Sequence, residues 1–228
     1  MNSRTIAVSS LRQDVRDQFI RRTYAHLFGA IAAFTALEFY LFSSGLAGQI
    51  LSMMSGLNWL WILGGFVVFS WMATHFARST SSKGMQYFGL GLFVVAEAII
   101  FVPLLAMAQQ QAGGQVIESA ALATMMGFTG LTTIAFFTRA DFSWMGKILM
   151  FGGIGALVLI VCGALFGFQL GVFFSVGMVL LAGMSILYDT SNVIHHYSED
   201  DYVAASLQLF ASVAMMFYYI LRIFSSRD

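Results

Sequence analysis

The sequence predicts an all-α integral membrane protein, a bundle of seven transmembrane helices. Two observations carry this. Of 228 residues, 59% are apolar and only 10% charged, against about 25% charged in an ordinary soluble domain. The apolar residues also fall in long uncharged runs, one of them the 41 residues from 148 to 188. A spanning helix needs about 20 mostly apolar residues, so seven would use about 140, close to the apolar content. Helices rather than barrel strands are expected, because backbone in lipid must satisfy its own hydrogen bonds and the runs lack two-residue alternation.

The first 22 residues are polar and mixed in charge, without the apolar core and cleavage site of a secretory signal, so the first span is expected to be retained. That span covers about 23–42 and stops at Ser43-Ser44-Gly45, residues that favour a turn. The uncharged stretch from Ser43 to Phe76 is too long for one crossing, which places a short outer segment before a second span at about 57–76. The hinge ARSTSSKG follows. Span three covers about 85–107 and ends in Gln109-Gln110-Gln111, and span four covers about 117–138. After the turn Arg139-Ala140-Asp141-Phe142-Ser143, residues 148–188 must cross twice, with Phe166-Gly167-Phe168-Gln169 as the turn. A polar segment, 189–201, leads to the last run, 202–221.

With the N-terminus in the cytosol, nine of the eleven basic residues fall on the cytosolic side, as the positive-inside bias requires. Arg222 and Arg227 are left outside. Folding the last segment back as a re-entrant hairpin would bring them in, but 203–221 is apolar enough to cross fully.

Ionisable side chains in hydrocarbon are costly, so each one inside a span is a candidate for function. Glu38 lies toward the outer end of span one, Glu97 near the middle of span three, and Asp189 at the cytosolic close of span six. His26, His75, Arg78 and Arg139 approach the same level as Asp189. A pair between Asp189 and Arg78 or His75 would make a gate, whereas an interfacial Asp189 would only cap the polar segment after it. Pattern alone weights the two equally. Glu97, about 18 Å from either end of its helix, cannot snorkel and must meet a partner, water or a proton. A hydrogen bond to another helix and a place on an ion path are equally compatible with that. Pro103, the single proline, lies six residues further on and is expected to kink the helix.

Other chemistries find little support. His195, His196, Glu199, Asp200 and Asp201 match no metal-ligand spacing and fit a solvated loop better. The fourteen methionines are scattered packing residues. The single cysteine, Cys162, excludes a disulfide framework or a CxxC pair. No phosphate loop, nucleophile elbow or dinucleotide fingerprint is present, so no enzymatic constellation is visible and no cofactor is expected. A net charge of zero leaves no basic surface for nucleic acid.

Four stretches, in order, resemble the Bax inhibitor-1 family, the transmembrane Bax inhibitor motif proteins: Arg22-Thr23-Tyr24, Phe137 to Ser143, Leu187-Tyr188-Asp189-Thr190, and Leu221-Arg222-Ile223-Phe224. The continuation from Ser191 to His195 and the ending Ser226-Arg227-Asp228 look most like the bacterial inner-membrane branch that modulates the membrane AAA protease FtsH. The resemblance implies that the last helix is central. It divides the chain into a cytosolic tail (1–22), a seven-helix domain (23–224) and a short C-terminal tail (225–228). It also implies a place in the bacterial inner membrane and a regulatory, non-enzymatic role, with a membrane AAA protease and the lipid bilayer as partners.

The alternative it implies is a pH-sensitive leak, with calcium or protons as the permeant ion. In that family reading two aspartates on spans six and seven share a proton and engage an arginine latch. Asp189 matches the first aspartate, Phe210 falls where the second would stand, and Arg78 is the nearest latch. Gln208 and Ser212, four residues apart, would supply neutral oxygens in place of the missing acid. The expected sensing or ion-path set is therefore Asp189, Glu97, Arg78, His75, Gln208 and Ser212.

Overall fold

The computed structural model describes residues 12–79, 82–112 and 114–226. These form eight helices: α1 (Gln13–Ser43), α2 (Leu46–Ser55), α3 (Trp59–Ala77), α4 (Lys83–Ala112), α5 (Gly114–Thr138), α6 (Met145–Phe166), α7 (Val172–His195) and α8 (Tyr202–Ser225). Seven are long and apolar enough to cross a membrane. The exception is α2, whose ten residues span about 15 Å, half the hydrocarbon thickness. It is the expected short segment. Gly45, at φ 80°, turns the chain into it, and Ala47 packs with Ala98 and Val102 of α4.

Two boundaries differ from those expected. Helix α1 begins at Gln13, so residues 13–22 are helix rather than free tail. Phe19 explains this: it is buried in the main core, which pins the first turns to the bundle. Helix α7 does not stop at Asp189 but continues to His195. Asp189, Thr190 and Ser191 are all buried, so packing holds the helix together past the point where its sequence turns polar. Helix α4 runs on through Pro103 to Ala112.

Helix α8 is the hub, with α1, α4, α5 and α7 around it. Two-thirds of its apolar window is buried, against 6% for α6, which lies against the rest of the bundle mainly through α7. The outward surface is apolar, with Trp61, Phe137, Phe151 and Phe173 exposed. That is the surface a bilayer solvates. Helix α8 crosses as one continuous helix of 24 residues, about 36 Å long, which removes the re-entrant alternative. Its first turn meets Lys83, whose Nζ lies 4.6 Å from the Tyr202 ring centroid. At its far end Arg222 donates to the Leu170 carbonyl at 2.7 Å in the loop between α6 and α7. Close helix contact depends on small residues between α3 and α4: a Cβ on Gly89 would lie 2.5 Å from Ala77 N and 2.6 Å from Ala73 O.

Candidate functional site

Asp189 faces α8 from inside α7. Ser212 Oγ lies 2.6 Å from Asp189 Oδ2 and 2.9 Å from Ser185 Oγ. A hydroxyl has one proton to give, so Ser212 donates to the carboxylate and accepts from Ser185. All three residues are drawn together by helical repeat: Ser185 and Asp189 are one turn apart on α7, and α8 presents Ser212 between them. Asp189 is therefore an interior group and not a helix-end cap.

The residue opposite Asp189 is Ser212 rather than Phe210. Two positions on a helix are about 200° apart, so Phe210 points elsewhere, with its ring 6.0 Å from those of Phe34 on α1 and Phe93 on α4. Gln208 is half-buried, and its side chain makes no hydrogen bond to a described residue. His75 is not part of the cluster. It is exposed on α3, stacked on Trp71 with ring centroids 5.8 Å apart. Arg78 is exposed just past α3, within electrostatic reach of Asp189 but without an ion pair to it. The charges of Asp189 and Arg78 meet again at Tyr197, whose phenol is pushed above its ordinary value by burial first and then by Asp189, with Arg78 acting against them.

Around the polar end of α7 the turn between α5 and α6 is tied down. The Phe142 N–H donates to Ser191 Oγ at 2.9 Å, and His196 Nε2 lies 3.2 Å from Asp141 Oδ1. Asp141, exposed and outside the spans, is held down to about 2 by the Ser143 backbone N–H and then by His196. Arg139 starts this turn with φ 48°, a left-handed conformation uncommon for a residue with a side chain. His195 Nδ1 lies 3.0 Å from the Ser191 carbonyl, so the two adjacent histidines are engaged separately. Among the described residues no three His, Cys, Asp or Glu side chains converge on a metal position. At the same end His26 Nε2, Tyr87 Oη and Tyr202 Oη form a chain at 3.2 and 3.1 Å that ties α1, α4 and α8 together.

Glu97 lies elsewhere, on the wall of a cavity of about 1150 Å³ formed by α3, α4, α6, α7 and α8. Gln111, Gln169 and Arg222 lie toward one end of it, and Ser185, which also lines it, is hydrogen-bonded to Ser212. Asp189 itself does not line it. Glu38 is also buried, and neither of its carboxyl oxygens has a partner.

The residues missed by the sequence are Ser185, Ser191 and Tyr197. A serine one turn before an aspartate was a visible signal for Ser185. Nothing local marked the other two.

The family model described as inhibitor of apoptosis-promoting Bax1 matches residues 16–228. The chain belongs to the Bax inhibitor family. Three of the four sequence motifs meet, since Tyr24 lies against Phe136 and the 137–143 turn docks on the Asp189–His196 segment, whereas the fourth, Leu221 to Phe224, sits at the far end of α8. An uncharacterized family relative from Helicobacter pylori strain 26695 is 27% identical over 96% of this chain and 93% of its own. The modulator of FtsH protease YccA from Escherichia coli K12 is 32% identical over 50% of this chain and 53% of its own. LIFEGUARD 4 of Arabidopsis thaliana is 30% identical over 63% and 59%. An uncharacterized protein of Pseudomonas aeruginosa is 35% identical, and the match spans about half of each chain, 49% and 50%.

Proposed function

We propose that this Bax inhibitor family protein is a multi-pass regulator in a bacterial inner membrane that binds and modulates a membrane AAA protease of the FtsH type. Its basic end, with the N-terminus, faces the cytosol. The similarity to the Escherichia coli modulator supports the partner class. The observation that carries the regulatory reading over conduction is at Asp189: the carboxylate is satisfied by a neutral hydroxyl, and Asp189 does not line the cavity. In this reading Asp189 and Ser212 hold one arrangement of α7 and α8, with Arg78 within electrostatic reach of Asp189. His75, on the outer face of α3, is available to a partner within the membrane.

Site-specific photocrosslinking in native membranes tests this directly. Probes at the basic end are expected to capture an AAA protease, and removing residues 2–11, which spares the buried Phe19, is expected to weaken that capture or change the chain's turnover. Recovery of no AAA protease from any basic-end probe overturns the reading.

The second reading is a pH-sensitive leak for calcium or protons, favoured by the cavity that reaches Ser185 and by Glu97 on its wall. It requires flux into liposomes that is lost in Asp189→Asn. Absence of flux at every pH leaves the regulator alone.

A further inference from the structure

Glu97 sits halfway along α4, roughly 21 Å from either end at 1.5 Å per residue, and is 7% exposed. No described residue donates a hydrogen bond to its carboxyl. It is the one carboxylate on the cavity wall. The one basic side chain there, Arg222, is toward the far end and already donates to the Leu170 carbonyl. Around Glu97 the wall is largely carbon, with Phe93, Phe101 and Tyr218 contributing aromatic surface and Leu104, Leu157 and Met215 aliphatic surface.

This setting selects by charge and by coordination. A calcium ion takes six to eight oxygen ligands, and here a single carboxylate is joined only by neutral serine, tyrosine and glutamine side chains spread over separate helices and a loop. A divalent ion would also keep a net positive charge inside an apolar chamber. An organic monocation needs one counter-charge, no coordination shell, and apolar or aromatic surface for its body, with ring faces adding cation–π attraction. The volume, about 1150 Å³, lies just above the roughly 300–1,000 Å³ of pockets that take drug-sized ligands, so such a body fits. Access from the bilayer is available between α3 and α6, which both line the chamber yet touch only sparsely. Gly153, Ala156 and Ala164 keep the α6 wall thin.

We propose that the chamber between α3, α4, α6 and α8 is a binding site for a lipophilic organic monocation, with Glu97 as its counter-ion and the Phe93, Phe101 and Tyr218 rings against its apolar body. This stands independently of the regulatory reading above and competes with the leak reading for the same cavity and for Glu97. The site would take hydrophobic amines and quaternary ammonium or phosphonium ions from the membrane phase.

The test is equilibrium dialysis of radiolabelled tetraphenylphosphonium against the purified full chain in detergent. Saturable binding at one site per chain is expected, weakened about tenfold or more by Glu97→Gln, the loss of about 1.4 kcal/mol. Gly153→Leu provides a second variant, because a Cβ at Gly153 meets nothing within 4 Å and the larger side chain fills the chamber while Glu97 stays intact. It is expected to weaken binding comparably with the melting temperature unchanged. Absence of saturable binding, or equal binding in both variants, overturns the proposal. So does equal displacement by neutral triphenylmethane, which would mark a general acyl-chain cleft, or displacement by low-millimolar calcium, which would mark an inorganic ion site.

Discussion

Asp189 and Glu97 are both acids buried at the heart of a helical membrane bundle, yet their surroundings are opposite. Asp189 stands at the contact of α7 and α8, and Ser212 reaches it at 2.6 Å. Glu97 stands where α4 faces the little-buried α6 across an open chamber, and no side chain reaches it. Burial alone therefore does not define what such an acid does. A carboxyl with a donor belongs to the architecture of two helices, whereas Glu97, like Glu38, has no donor among the described residues.

Four perturbations sharpen or break this contrast. The largest effect is expected from Gly89→Leu, which forces α3 away from α4 and disrupts one wall of the Glu97 chamber. Because the clash is with backbone rather than a flexible side chain, a loss of about 3 kcal/mol is expected in reversible unfolding in mixed micelles. A fully stable variant would mean that α3 is not fixed at that crossing.

Next is Ser212→Ala. It removes the donor to Asp189 and should cost about 2 kcal/mol, the penalty for stranding a buried polar group. The same substitution made on top of Asp189→Ala should cost well under half of that, since the interaction is already gone. Equal costs in the two backgrounds would show that the pair is not coupled.

Glu97→Met should go the other way. Replacing a carboxyl that has no protein partner by an apolar side chain of similar length is expected to stabilise the fold by about 1 kcal/mol. Destabilisation by a similar amount would expose a donor that Glu97 has in solution and would erase the contrast with Asp189.

The smallest effect is at the exposed turn beside Asp189. Asp141 is held down to about 2 from an ordinary 3.8 by the Ser143 N–H and His196. A carboxyl depressed in the folded state stabilises it above the unfolded value, and that contribution fades as the pH falls from 3.8 through about 2. Asp141→Asn should therefore melt slightly lower than the parent at pH 6, with the gap closing toward pH 2. A gap that persists at pH 2 assigns it to something other than the carboxylate charge.

Much of this molecule was legible from residues in a row. The crossings and the short α2 follow from apolar run length and from Gly45, because the bilayer imposes a length on any helix that spans it. The polar stretch after Tyr188 misled for the same local reason. Asp-Thr-Ser-Asn favours a helix end in water, but in the bundle α8 and the 137–143 turn supply the partners that hold those residues in a helix.

Of the sensing or ion-path set, Asp189 and Ser212 are brought together, Arg78 approaches them, and Gln208 makes no bond within it. His75 turns outward onto Trp71, and Glu97 belongs to a different chamber. Those outcomes depend on the rotation of each helix about its axis, and a rotation of two residues is enough to exchange Ser212 for Phe210 opposite Asp189. The sequence by itself determined that the chain crosses seven times, which family it resembles, and which acids would be stranded in hydrocarbon, because hydropathy and residue order are local quantities. Only the tertiary structure decided which acid has a donor and which faces an open chamber, because that depends on how closely helices distant in sequence approach one another.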